Sequence, residues 1–124
     1  MALTKQEIWE RLKTESTWVT ATRTPLFATV EGRQFRFVVG IWISGNNQAT
    51  TTLQLEKLEK DGTTYTVKWS PIPVRPTDFR QIPEGSYDLE NPVATFEGGT
   101  RLYGKTDIEG MSLNVTVAYW DWDV

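Results

Sequence analysis

LNVTVAYWDWDV, residues 113–124, alternates apolar and polar side chains as a half-buried β-strand does. Its apolar face begins with Leu113, Val115, Val117 and Tyr119. The same count puts Asp121 and Asp123 on that apolar face, while Trp120 and Trp122 fall on the polar one. We therefore predict a strand that carries a β-bulge near Ala118, which would turn the two tryptophans inward.

This period of two continues upstream through most of the chain. Strand-like runs cover residues 17–23, 26–30, 33–43, 49–60 and 63–69, and three more lie between 93 and 123.

Two-residue turns at Glu31-Gly32 and Asp61-Gly62 predict hairpins of 26–30 with 33–43 and of 49–60 with 63–69. Turns at Gly98-Gly99 and Glu109-Gly110 predict a three-stranded meander over 93–123. About eight strands are enough for a sheet to close. We predict a mainly β single domain over residues 1–124, folded as a small antiparallel meander barrel with strands over about 17–69 and 93–123. A two-sheet β-sandwich is the alternative.

One α-helix is predicted before the strands, over residues of about 3–14. Thr4 and Glu7 have the spacing of a capping box, and Ile8 starts a narrow apolar stripe that can dock on a sheet. In the strand at 33–43, the odd positions Phe35, Phe37, Val39, Ile41 and Ile43 are predicted to face the core. The even positions, which include Arg36 and Trp42, are predicted to face outward.

The composition excludes several kinds of chemistry. The 124 residues include neither cysteine nor histidine, which removes disulfides, thiolate and histidine zinc sites, and histidine-dependent nucleophilic catalysis. No catalytic motif is recognisable, so we expect a protein that is not an enzyme and that has no cofactor. No segment has the pattern of a membrane span or a signal peptide, and a cytoplasmic location is therefore expected.

Charge is divided unevenly along the chain, whose net charge is −3. Residues 1–80 hold eleven Lys or Arg against eight Asp or Glu, whereas residues 81–124 hold two against eight. The first and last strands of a barrel or sandwich are often neighbours, so we expect much of this difference to be used in internal pairing. The acidic total speaks against nucleic acid as a partner.

The segment 70–92 contains five of the six prolines. It also contains several large apolar residues, so we predict an ordered loop packed on the sheet and not a linker. Its candidate binding residues are Pro73, Arg75, Phe79 and Tyr87. The run PVRP, residues 73–76, matches the PxxP pattern of polyproline ligands.

Aromatic residues supply the other candidate contacts. Trp42 lies on a predicted polar face beside Arg36, and Trp120 and Trp122 can lie beside it. We therefore predict a non-catalytic binding or accessory module that contacts a protein partner through the proline-rich loop and exposed aromatics.

Two other functions stay open. The main alternative is a small β-barrel that carries an apolar small molecule in its interior. A weak single-stranded nucleic-acid binder or a carboxylate-based enzyme comes third. Asp121 and Asp123 are the weak candidates for metal ligands, since paired carboxylates suit Ca²⁺ or Mg²⁺.

Overall fold

The computed structural model describes residues 3–45 and 47–123 and shows a mainly β protein with two antiparallel sheets. In this part of the chain one short helix, α1, spans Lys5–Arg11. The strands are β1 (Lys13–Val19), β2 (Thr24–Pro25), β3 (Gln34–Gly45), β4 (Thr51–Leu58), β5 (Tyr65–Val67), β6 (Ile72–Val74), β7 (Phe79–Ile82), β8 (Ala94–Glu97), β9 (Arg101–Thr106) and β10 (Leu113–Asp123). The predicted class, mainly β with an N-terminal helix, is confirmed.

Helix α1 starts at the predicted capping box. The Thr4 side chain accepts a hydrogen bond from Glu7 N at 3.2 Å, and the Glu7 carboxylate accepts one from Thr4 N at 3.2 Å. The helix is shorter than the predicted 3–14, because Leu12 is already extended and Lys13 begins β1. Pairing of β1 with β10 from Lys13 onward takes these residues out of the helix.

The first sheet has the strand order β1-β10-β3-β7, with β8 also paired to β3. The second has the order β2-β9-β4-β5, with β6 also paired to β4. In the described residues the two sheets are not closed into the predicted barrel. The predicted meander over 93–123 is also wrong, since β8 and β10 lie in the first sheet and β9 lies in the second.

One predicted hairpin is confirmed and another is wrong. Strands β4 and β5 pair as predicted, with Leu58 opposite Tyr65. Residues 26–30, however, are not a strand. Leu26 N and Val30 N donate to the carbonyl oxygens of Leu102 and Thr100 at 2.9 and 3.0 Å, so this segment follows β9 as irregular backbone and does not pair with β3.

The predicted irregularity near Ala118 is present, because the register between β10 and β3 shifts between Ala118 and Tyr119, but the strand that carries the bulge is β3 and not the predicted 113–124 strand. The additional residue is Val39 of β3, since Ala118 faces Gly40 and Tyr119 faces Val38. Strand β3 changes phase at this point, so the predicted core face at 33–43 is wrong for its first half. Toward the second sheet β3 presents Val38, Ile41 and Ile43, and on its outer face it presents Phe37, Val39 and Trp42.

Two hydrophobic clusters result. The main core is made of side chains from both sheets, among them Val38, Ile41, Leu53, Leu55, Phe96, Leu102, Val115 and Val117. The second cluster lies on the outer face of the first sheet beneath α1, where Ile8 packs with Val39, Ala118 and Trp120. Trp120 is therefore buried, but under the helix and not in the main core toward which we predicted the bulge would turn it.

The predicted loop at 70–92 is partly strand. It contains β6 and β7, and β7 completes one edge of the first sheet through its pairing with β3. Within residues 3–45 and 47–123, α1 is far too short to cross a bilayer, and the structure has no helix there that meets the length and hydropathy of a membrane span.

Candidate functional site

The outer face of the first sheet is only partly covered by α1. Beyond the helix, the register places two cross-strand rows of outward side chains beside each other. One row runs Trp18, Asn114, Ser44 and Phe79, and the other runs Ser16, Thr116, Trp42 and Gln81. We call these eight residues the open face.

The direction of these side chains follows from their neighbours. Val19, Ile43 and Leu113 alternate with open-face positions and are all fully buried in the main core. Because successive side chains of a strand point to opposite faces, the open-face residues point away from the second sheet.

Two aromatic rings stand at opposite ends of one row. Trp18 on edge strand β1 is 55% exposed and Phe79 on β7 is 60% exposed, which is unusual for side chains of this size. In the adjacent row, Trp42 packs edge-on against Tyr87, with ring centroids 5.6 Å apart. The open face therefore has exposed rings at both ends and a partly buried aromatic pair along one side.

Small polar side chains fill the space between the rings. The Ser16 and Thr116 hydroxyls are 2.7 Å apart, and the Thr116 hydroxyl donates to Asn114 Oδ1 at 3.4 Å. The Asn114 amide carries N–H groups, and the exposed Ser44 side chain carries a hydroxyl. They can therefore donate to a molecule that lies on the face.

None of the eight open-face residues is charged, although 23% of the chain is Asp, Glu, Lys or Arg. The open face therefore presents no charged side chain of its own to a phosphate or to an acidic or basic segment. It offers flat apolar rings together with neutral donors and acceptors.

The structure brings three of the predicted site residues together, namely Trp42, Phe79 and Tyr87. Trp42 also packs against the cluster beneath α1 that contains Trp120 and Trp122, so these three tryptophans belong to one cluster. Trp120 and Trp122 themselves lie outside the two rows of the open face, opposite Phe37 and Phe35. Trp18, the one aromatic residue of β1, was not predicted as a site residue. Its alternation with Val19 indicates that it faces away from the core. Which residues lie beside it depends on the pairing of β1 with β10, and no local sequence pattern reveals that pairing.

Arg36 is buried, contrary to the prediction that it faces outward. Only 7% of the residue is exposed. The extra residue at Val39 reverses the alternation of β3, so that Arg36 lies on the inner side of the strand. Its guanidinium donates to both carboxylate oxygens of Asp121 at 2.7 and 2.9 Å, and it stacks over the rings of Phe27 and Tyr119. Burial lowers the pKa of Arg36, but the hydrogen bonds and charge of Asp121 outweigh burial and raise it.

Tyr119 belongs to the same buried polar group. Its hydroxyl donates to Glu15 Oε2 at 2.9 Å. Burial and this hydrogen bond raise the pKa of Tyr119 to about 12. The arrangement holds both groups in one charge state at neutral pH and ties β1, β3 and β10 together, which is a structural task.

The two predicted contacts on the PVRP run lie elsewhere. Pro73 is in β6 opposite Thr52, and the neighbouring Val74 is fully buried. Arg75 is exposed and pairs with Asp78 at 3.2 Å. A ligand for a polyproline-binding domain must present its side chains from a free extended segment. The PVRP run does not, because Pro73 and Val74 are paired with β4 in the second sheet and Val74 is buried.

The two candidate carboxylates for metal binding are engaged by other side chains. Both oxygens of Asp121 are engaged by Arg36, and Asp123 Oδ1 accepts from Gln34 Nε2 at 2.8 Å. Across residues 3–45 and 47–123 no group of three acidic side chains is placed to hold a cation.

Known proteins show little similarity to this chain. No family model matches the chain, and no curated protein matches it. Among solved structures it is similar to a chain of the T13 IBDV viral particle, whose crystal structure was described as a missing link in the evolution of icosahedral viruses. The identity is 14% and the TM-score 0.46 over 89% of this chain, which spans 35% of that viral chain.

Proposed function

We propose that this protein is a non-catalytic binding module and that the open face is its binding surface. The observation that carries the proposal is the pair of exposed rings, Trp18 and Phe79, at the two ends of one neutral cross-strand row. Two exposed large aromatic side chains lower the solubility of a protein, and a bound partner that covers them removes this effect.

The partner predicted from the sequence was a protein, met through the proline-rich segment. Proteins remain a proposed class of partner, but the proposed surface changes. Phe79 and Gln81 are its residues from the segment 70–92, and Tyr87 of the same segment packs against its Trp42. Pro73 and Arg75 lie outside it. Aromatic enrichment and depletion of charge are typical of the centre of a binding interface.

The other predicted functions have less support. A carrier needs an enclosed cavity, whereas buried side chains from both sheets pack together in the main core, which also supports the two-sheet sandwich as the architecture. A nucleic-acid binder needs basic residues along its aromatic surface, and the open face has none. An enzyme needs an accessible acid or base. The open face has no charged side chain, and Arg36 is buried on the inner side of the sheet.

Native mass spectrometry of the protein purified gently from its own source tests the proposal. The experiment compares Trp18→Ala and Phe79→Ala with Trp9→Ala, a matched control because Trp9 on α1 is 56% exposed. We expect a co-purifying component that both open-face variants lose and that the control keeps. If the wild type carries no component, or both open-face variants retain it, the proposal is wrong.

A further inference from the structure

The open face has the dimensions of a narrow strip. Strands lie about 4.8 Å apart and alternate residues about 7 Å apart, so the two rows cover roughly 14 by 7 Å. A protein interface of standard size buries about 800 Å² on each partner, several times this area. The strip is better matched to a slender chain that crosses the strands from Trp18 to Phe79.

The chemistry of the strip restricts that chain further. One row ends in two apolar rings with Asn114 and Ser44 between them, and the hydroxyls of Ser16 and Thr116 lie in the adjacent row; these polar groups form a ladder beside the rings. A ligand that fits must present apolar patches to the rings and hydroxyl groups to the ladder at the same time. Sugars do both, because a pyranose ring has a face of C–H groups and a rim of hydroxyls.

The absence of charge separates the classes of glycan. Uronic acids, sulfated sugars and sialic acids would lie on the open face with no cation from its eight residues to pair with them. For a neutral sugar, Asn114 Nδ2 and the Ser44 hydroxyl can replace hydrogen bonds to water.

The geometry also favours one shape of chain. Trp18 and Phe79 lie in the same row with two small side chains, Asn114 and Ser44, between them. An extended, ribbon-like chain such as a β-1,4-linked glucan can stack on both rings at once. A coiled chain such as α-linked amylose would contact one ring and turn away from the sheet.

From these observations we infer that the open face binds an unbranched, uncharged, β-linked glycan, laid across β1, β10, β3 and β7. This inference rests on the proposed role of the open face as a binding surface. Trp18 and Phe79 stack on sugar rings at either end, and Asn114 and Ser44 donate to hydroxyls between them.

Native gel electrophoresis in gels that contain one polysaccharide each tests the inference. The probes are barley β-glucan, hydroxyethylcellulose, xylan and glucomannan, with soluble amylose as the α-linked control and alginate as the acidic one. We expect retardation by at least one of the four β-linked neutral glycans, and none by amylose or alginate. Raising NaCl from 50 to 500 mM should leave retardation unchanged, because screening acts only on charges.

The variants assign the binding to the open face. Trp18→Ala and Phe79→Ala should each weaken binding about tenfold or more, and Trp9→Ala should bind like the wild type. Retardation by none of the four glycans, or equal retardation of the wild type and both open-face variants, would overturn the inference. If the source-purified protein nevertheless carries a protein component that depends on Trp18 and Phe79, the proposed binding surface stands and only the glycan is wrong.

Discussion

Trp120 is the residue whose role changed most between sequence and structure. It is 8% exposed, packs against Phe37 at a centroid distance of 4.6 Å, and lies beneath α1 with Ile8. Trp120→Ala should lower the free energy of unfolding by about 3–5 kcal/mol, because the truncation leaves a cavity between helix and sheet. Urea unfolding at neutral pH measures it.

Trp120→Phe is the informative comparison. In the described part of the chain the indole Nε1 has no hydrogen-bond partner, so phenylalanine loses volume but no hydrogen bond. The Phe variant should therefore retain most of the stability that the Ala variant loses. An Ala variant within about 0.5 kcal/mol of the wild type would mean that Trp120 is a surface residue.

Sequence patterns gave the residue types of the site but not their grouping. Phe79 and Tyr87 were recognised as apolar side chains in a proline-rich segment, and they do lie beside Trp42. Arg36 was misplaced because one extra residue, Val39, reverses the phase of β3. Alternation is reliable only as long as the register is unbroken, and a bulge leaves little mark in the sequence of its strand.

At the scale of elements, α1 covers part of the outer face of the first sheet, and loosening of this helix should be measurable by hydrogen exchange. It has seven residues, too few to be helical alone, so its stability depends on the capping box and on the contact of Ile8 with Trp120. Thr4→Ala should cost about 1 kcal/mol. It should also increase hydrogen exchange in Ile8–Arg11 more than in β3 or β10.

A conservative control separates capping from other effects of the change. Thr4→Ser keeps a hydroxyl that can accept from Glu7 N, and should behave like the wild type. If Thr4→Ala exchanges no faster than Thr4→Ser in Ile8–Arg11, the capping box does not hold the helix on the sheet.

The elements themselves were largely predictable, whereas their pairing was not. The hairpin β4–β5 formed as predicted because its turn and its strands are local in sequence. The Gly98-Gly99 turn was interpreted as a hairpin, but it carries the chain from the first sheet to the second. A Cβ on Gly98 would lie 2.5 Å from the Glu31 carbonyl oxygen, so this turn depends on a distant segment that the local pattern does not include.

Across the whole molecule, charge joins the two halves of the chain as expected. Arg36 pairs with Asp121 and Lys57 with Glu97, each a basic residue from the first 80 positions with an acidic one from the rest. The excess of positive charge in one part and of negative charge in the other is thus used partly inside the fold.

Buried pairs of this kind make the stability sensitive to acid. Glu56 is almost fully buried and bonded to Arg23 at 3.0 and 3.2 Å. Burial raises the pKa of Glu56, but the Arg23 hydrogen bonds outweigh it, so that the pKa in the folded protein lies below its ordinary value of 4.5. The stabilisation is therefore complete above about pH 4.5 and is lost as the pH falls through the lower folded value.

We expect the free energy of unfolding to fall on going from pH 5 to pH 3, and to fall less steeply in Glu56→Gln than in the wild type. The variant should be less stable at pH 7, since Arg23 then lacks a charged partner, and the two curves should converge in acid.

Glu84→Gln, at an exposed position, is the matched control for removing one carboxylate. Urea unfolding at pH 7, 5, 4 and 3 measures the slopes. Parallel curves for Glu56→Gln and the wild type would show that the Arg23–Glu56 pair does not set the acid sensitivity of the fold.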